Sequence, residues 1–199
     1  EPDDELRAAD PTGEKTWEKA KYVCEVRDID SMMLKTQQEI DQMVDLSEEG
    51  YTFIWQIVRE NGQKDWLRVY NYGYRTQPEE AEISVAFKRM VMDLPKIGFV
   101  SGHKEGSMHD KGPMGFNFIA DNKKVQSSVW NQGFDVEEIT LDKSIPEDID
   151  YIIIADPREE YGQESETVLQ EYVDRGGNML FMGAPRHRET LNPTLRKLF

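Results

Sequence analysis

Lys96-Ile-Gly-Phe-Val-Ser101, Phe134-Asp-Val-Glu-Glu-Ile-Thr-Leu141, Tyr151-Ile-Ile-Ile-Ala155 and Asn178-Met-Leu-Phe-Met182 are four short apolar runs in the second half of a 199-residue chain. They alternate with helical patterns, and loop signals follow them. Runs rich in β-branched and aromatic residues at this spacing argue for βαβ units, because parallel strands need a long crossover and helices then cover both faces of the sheet. Residues 77–199 therefore read as an α/β domain with a doubly wound, mainly parallel sheet. If the strands are wound 2-1-3-4, the switch point lies between the first and the third. A ligand or partner would then meet the loops after Ser101 and after Ala155.

Working outward, Ile83, Ala86, Phe87, Met90, Val91 and Leu94 fall on one stripe of an amphipathic helix that Pro95 ends. Val168, Leu169, Tyr172 and Val173 mark another helix, stopped by Gly176-Gly177. Residues 15–76 read as a small α+β module. It has a strand at Tyr22–Val26, a helix from about Asp30 to Leu46 with Met32, Met33 and Met43 on its core stripe, and a hairpin of Tyr51–Val58 with Asp65–Asn71. Asn61-Gly62 supplies the turn of that hairpin. Residues 1–14 hold three Asp, three Glu, two Pro and a Gly, a composition that reads as a frayed lead-in.

Composition excludes several function classes. With 39 acidic against 24 basic residues, the formal net charge of −15 opposes binding to nucleic-acid phosphates or anionic lipid. A single cysteine, Cys24, makes no internal disulfide and no Cys-x-x-Cys zinc site. No apolar run approaches the roughly 20 residues that span a bilayer. The sequence starts without Met and stops just after the helical pattern Pro193–Leu198, so it reads as an excerpt of a longer protein whose membrane segments lie elsewhere.

Candidate site residues gather at the switch point. The loop from Gly102 to Gly115 contains four glycines together with His103, Glu105, His109 and Asp110, and the loop after Ala155 adds Asp156 and Arg158. Connections in compact domains usually take about 4–6 residues, so a long polar loop here reads as a surface for a partner or a small ligand. The plainer reading is that His103 and Glu105 tie down the turn. Two His with two carboxylates have the chemistry for a metal or for acid–base work, but no diagnostic spacing, so neither metal nor cofactor is assigned. No Gly-x-Gly-x-x-Gly or Walker pattern follows the strand, so the glycines do not match a phosphate-binding fingerprint.

Lys96-Ile-Gly-Phe-Val-Ser-Gly-His-Lys-Glu105, Asn131-Gln-Gly-Phe-Asp-Val136, Ile145-Pro-Glu-Asp-Ile-Asp150, Ala155-Asp-Pro-Arg158 and Glu171-Tyr-Val-Asp-Arg-Gly-Gly-Asn-Met-Leu180 resemble, in order and spacing, the soluble domain of gliding-motility-type (GldG-like) ABC transporter auxiliary proteins. The resemblance covers Glu79–Phe199. It implies an extracytoplasmic domain, on the periplasmic face of the inner membrane, anchored by flanking transmembrane helices. The implied partners are the membrane and ATPase subunits of the same system, and no catalytic residues are implied. The family's first turn reads Gly-His-Gly-Glu, whereas this chain has Gly102-His103-Lys104-Glu105, and Lys takes positive φ less readily than Gly.

The fold outline also resembles flavodoxin-like proteins and class I glutamine amidotransferases. The latter carry a nucleophilic Cys on a tight turn after a central strand. Here that position reads Gly183-Ala184-Pro185, Cys24 lies in the other module, and Ser101 lacks the flanking pattern of a hydrolase elbow. The sequence thus predicts a non-enzymatic interaction domain; the alternative is a small-molecule or glycan-binding sensor using the switch-point crevice.

Overall fold

The computed structural model describes residues 14–49, 53–70 and 77–199, which fall into two compact units, 1–48 and 49–199. The first unit is helical. Its opening helix α1, Glu14–Arg27, contains the Tyr22–Val26 stretch expected as a strand. Tyr22, Val23 and Val26, its three β-branched or aromatic residues, are outweighed by the Glu-, Lys- and Ala-rich residues before them, which favour a helix. Asp28 closes α1 with φ +55, and the Ile29 amide returns to the Cys24 carbonyl at 2.9 Å, so the stop is a left-handed C-terminal turn.

The single helix expected over Asp30–Leu46 is instead two pieces. Asp30 caps a short 3-10 turn at Ser31–Met33 by accepting from the Met32 amide at 2.9 Å. Leu34 and Thr36 are extended, and Thr36 with Glu39 forms a capping box that starts α2, Gln37–Met43. The capping signal at Thr36 competes with the helical stripe and restarts the helix there. Met32, Met33 and Met43 are 86 %, 73 % and 72 % exposed, so the methionine stripe builds no core. Residues 1–13, Tyr51 and Asn71 lie outside the described residues.

In the second unit, β1 (Phe53–Val58) pairs antiparallel with β2 (Lys64–Val69). The turn follows Asn61-Gly62 as expected, with Gly62 at φ +85 and the Asn61 side chain accepting from the Gln63 amide at 3.0 Å. A buried ion pair joins Arg68 of β2 to Glu49 through two contacts of 2.6 Å. Helix α3, Glu80–Val91, packs on β2 and buries Ala86 and Met90. Phe87 and Val91 of its sequence-level stripe remain exposed.

Strands β3 (Lys96–Ser101), β4 (Asp135–Thr140), β5 (Tyr151–Ala155) and β6 (Asn178–Met182) form an all-parallel sheet in the order β4-β3-β5-β6, the 2-1-3-4 winding. Helices α4 (Gln163–Asp174) and α5 (Arg188–Leu198) supply Leu169, Tyr172, Leu191 and Leu198 to a core with Val100, Ile139, Ile152 and Ile154. The opposite face was expected to be covered by helices. Instead the irregular segment 102–134 covers it, packing Met108, Ala120 and Phe116 onto Ile97, Phe99, Ile153 and Ala155. Gly98 makes room within the sheet, since a Cβ there would lie 2.7 Å from Ile139 Cδ1.

Arg89 of α3 holds this arrangement at its margin. Its guanidinium donates to Asp135 Oδ1 at 2.7 Å, to the Phe134 carbonyl at 2.7 Å and to the Trp130 carbonyl at 2.8 Å, while lying 3.6 Å from the Trp130 ring centroid. Removing it takes the donor from the Phe134 carbonyl and the charge partner from Asp135, while the Trp130 carbonyl keeps the Gly133 amide at 3.1 Å. Arg89→Met is expected to lower unfolding free energy by about 2–4 kcal/mol, read as a shift of the urea midpoint at unchanged slope.

Candidate functional site

The carboxyl ends of β3, β5 and β6 lie side by side, and their loops are stitched together. The His103 carbonyl accepts from the Arg158 and Glu159 amides at 3.0 and 3.1 Å, and the Gly106 amide donates to the Ala155 carbonyl at 2.7 Å. These bonds join the two loops that flank the switch point. Two carboxylates then lock the edge.

The first is Glu105, whose side chain is 1 % exposed. Its Oε2 accepts from the His103 amide at 2.6 Å and its Oε1 from the Tyr161 hydroxyl at 2.9 Å. Burial, and then the neighbouring Glu105 carboxylate, push the Tyr161 hydroxyl far above its ordinary pKa, so it stays a neutral donor. The His103 ring lies 4.5 Å from the Tyr161 ring, its Nε2 is 3.4 Å from Ser165 Oγ, and its buried Nδ1 is 3.6 Å from Glu105 without a hydrogen bond.

Serine, histidine and carboxylate are thus neighbours in the order of a nucleophilic relay. The geometry favours pinning over catalysis: 3.6 Å exceeds a hydrogen bond, Ser165 is buried, and Glu105 already accepts from the His103 amide and the Tyr161 hydroxyl.

The second is Asp156, which sits in the left-handed region at φ +52 directly after β5. Its amide donates to the Met182 carbonyl at 2.6 Å, its Oδ1 accepts from the Ala184 amide at 2.7 Å, and its Oδ2 lies 2.8 Å from His187 Nδ1. Burial alone would raise its pKa. The Ala184 amide, the His187 ring and the charge of Arg158 outweigh that and hold it below the usual carboxylate value.

The remaining candidates are placed apart from these pairs. His109 is exposed, 4.0 Å from Asp121 and 3.9 Å from Glu138 of β4. Asp110 serves its own turn, accepting from the Gly112 amide at 2.7 Å, and a Cβ on Gly115 would lie 1.9 Å from the Asp110 carbonyl oxygen. Among the described residues no group of three His, Cys, Asp or Glu side chains is arranged to hold a metal ion. Tyr161, Ser165 and His187 were missed in the sequence. His187 had a signal: it is the third histidine of the chain and follows the end of β6 by five residues, at the same sheet edge as His103.

Lys104, where the resembled family has Gly, adopts φ +57, and its ammonium lies 2.7 Å from Glu159 with both side chains largely in solvent. The turn keeps the left-handed conformation that glycine would take without strain.

The family model described as an ABC-type uncharacterized transport system matches residues 94–194, just over half of the chain and inclusive of β3 to β6. The chain belongs to this family, whose members are auxiliary components of ABC-type transport systems. Neither the curated proteins nor the solved structures contain a significant match to it.

Two outcomes follow from the geometry of this edge. Because the folded-state pKa of Asp156 is depressed, its contribution to stability is fully present above its unfolded value of about 3.9 and is lost as pH falls through the folded value. The stability gap between wild type and Asp156→Asn, measured by urea unfolding across pH, should therefore be widest above about pH 5 and narrow below about pH 4. Lys104→Gly should relieve strain that costs an L-residue roughly 1–2 kcal/mol, offset in part by glycine's entropy, for a net gain of up to about 1 kcal/mol in thermal or chemical unfolding. The exposed pair to Glu159 that it removes adds little.

Proposed function

We infer that the second unit is an extracytoplasmic, non-catalytic interaction domain of an ABC-type transport system of the gliding-motility (GldG-like) kind, anchored by membrane segments outside this sequence. The family match over 94–194 carries the transport assignment. The motif blocks between Lys96 and Leu180 support the GldG-like reading. The non-catalytic role is supported by the state of the polar groups at the switch point: Glu105 and Asp156 accept internal hydrogen bonds, and the turn after β6 presents Gly183-Ala184-Pro185 with no nucleophile. No helix among the described residues is long and apolar enough to cross a membrane.

What the edge offers outward is charge on well-anchored turns: Lys104, Arg158 and Glu159 are exposed, while their backbones are fixed by the His103 carbonyl and the left-handed turn. A rigid polar rim of this kind suits docking to another component of the transporter, where charge sets partner choice. The full-length protein carrying Lys104→Glu and Arg158→Glu should co-purify several-fold less membrane and ATPase subunit, with a thermal midpoint within about 2 °C of wild type. Undiminished co-purification would remove the rim as the docking site. A Glu159→Cys variant labelled in intact cells by a membrane-impermeant thiol reagent tests the extracytoplasmic placement. Labelling only after lysis would overturn it.

A further inference from the structure

We propose that strand β1 is a homodimerisation edge, at which two copies of this chain pair antiparallel about a two-fold axis at Gln56. The proposal stands independently of the switch-point reading. Strand β1 reads Phe-Ile-Trp-Gln-Ile-Val, with no charge, no Pro and no Gly, and its six-residue register with β2 runs without a bulge. Among the described residues it pairs only with β2. Edge strands are ordinarily protected by charged side chains, proline, bulges or a covering element. The partner strand β2 carries Lys64, Asp65 and Arg68, and the edge strand β4 of the parallel sheet carries Asp135, Glu137 and Glu138. Strand β1 has no charge, proline or bulge, and no element among the described residues pairs with its outer edge.

The surroundings extend the exposed apolar surface. Trp55 is 42 % and Val58 54 % exposed. On α3, Arg89 faces the 130–134 segment through its bonds to the Trp130 and Phe134 carbonyls, and Val85 lies 3.5 Å from where a Cβ on Gly133 would stand. Ala86 and Met90 are buried, leaving Phe87 and Val91 on the open side of the helix. The Arg59 guanidinium, directly after β1, donates to the Met90 carbonyl at 2.5 Å and brings the end of the strand to the end of that helix. Val58, Val91 and Met92, all exposed, lie within two residues of the pair that this bond joins.

The hydrogen-bond alternation fixes the register. The Arg59 amide donates to the Gln63 carbonyl at 2.9 Å, so Ile57 and Trp55 make the next bonded pairs with β2. The backbone groups of Ile54, Gln56 and Val58 then face outward. A second copy matches this pattern when Gln56 meets Gln56 across the axis, because Ile54 then faces Val58 of the other copy and each such pair exchanges both of its N–H···O bonds. Trp55 stands opposite Ile57 of the other copy, an aromatic and β-branched pair of the favourable kind. No charge opposes itself across this axis, although each copy carries a formal −15, so the contact should tighten as salt rises. The edge at β6 is also uncharged, but Phe199 packs edge-on against Phe181 there at 6.4 Å.

The test is light scattering on size-separated protein across a dilution series. Wild type should have twice the 23.1 kDa mass of the chain and dissociate on dilution. Gln56→Lys and Gln56→Glu, each placing like charges opposite one another, should each raise the dimer Kd by about fivefold or more, and mixing the two variants should restore association. Gln56→Pro should give a monomer with an intact hairpin, since the amide it removes faces away from β2. Leu180→Glu should leave the dimer unchanged. A monomeric wild type, a dimer indifferent to Gln56 variants, or one dissolved by Leu180→Glu would each overturn the proposal.

Discussion

The carboxylates of Glu105 and Asp156, each with its own partners, set the geometry on which the carboxyl edge of the sheet depends. Each stands in the residues directly after a parallel strand and each accepts a main-chain amide, from His103 in one case and Ala184 in the other. Main-chain donors at strand ends lose their ladder partners, and an unpaired buried amide costs as much as a lost hydrogen bond. A carboxylate satisfies such a donor more strongly than a neutral acceptor does. Glu105 then reaches Tyr161 ahead of α4, and Asp156 reaches His187 ahead of α5, so the same groups aim the two helices that close one face of the sheet.

The opposite face is closed without crossover helices. The connection between β3 and β4 spans 102–134, and its main-chain groups are satisfied locally: the Phe116 amide on the Ser107 carbonyl, the Val129 amide on Ile119, the Trp130 amide on Ala120. Asn131 gathers the carbonyls of Asn122, Lys123 and Val125 on one side-chain amide at 3.2, 3.0 and 2.8 Å. Buried Met108, Ala120 and Val125 anchor the segment. Small residues, turns and one amide hub do here what an amphipathic helix does in a regular βαβ unit. On that face the carboxyl edge is therefore bordered by a polar loop and not by a helix end.

This explains what the sequence could and could not disclose. The strands at 96–101 and 151–155 were legible to the residue, because burial on both faces writes a continuous apolar run; the strand at 178–182 was legible because Gly176-Gly177 and Gly183 bracket its short apolar run, although Leu180 is exposed. The hairpin turn was legible because Asn-Gly selects it locally. Tyr22–Val26 misled because a short apolar run carries no helix-or-strand period by itself, and the helix is decided by its neighbours. At the candidate site, the residues of one loop were found and their partners were not. Tyr161 lies 56 positions from Glu105 and His187 lies 31 from Asp156, separations that only the winding of the sheet brings together. His109 and Asp110 sat next to the right residues in sequence but point elsewhere, since the turn at Ser107–Asn117 closes on itself.

Backbone strain gives a further reason to locate function at this edge. Three non-glycine residues among those described have positive φ, and two of them, Lys104 and Asp156, flank the switch point. Asp156 is compensated, because the left-handed conformation is what lets its amide meet the Met182 carbonyl while its carboxylate meets Ala184. Lys104 has no comparable return: its exposed pair to Glu159 contributes little, and the residue the resembled family uses there would cost less. Strained positions persist where the surrounding structure over-determines them, and they cluster where a chain presents side chains to something else. A lysine held in a glycine conformation, on a loop fixed from both sides by His103 and Gly106, projects a positive charge from an otherwise strongly acidic protein at the one edge where the loops of three parallel strands converge. That combination supports the proposed charge-selective contact with another transporter component.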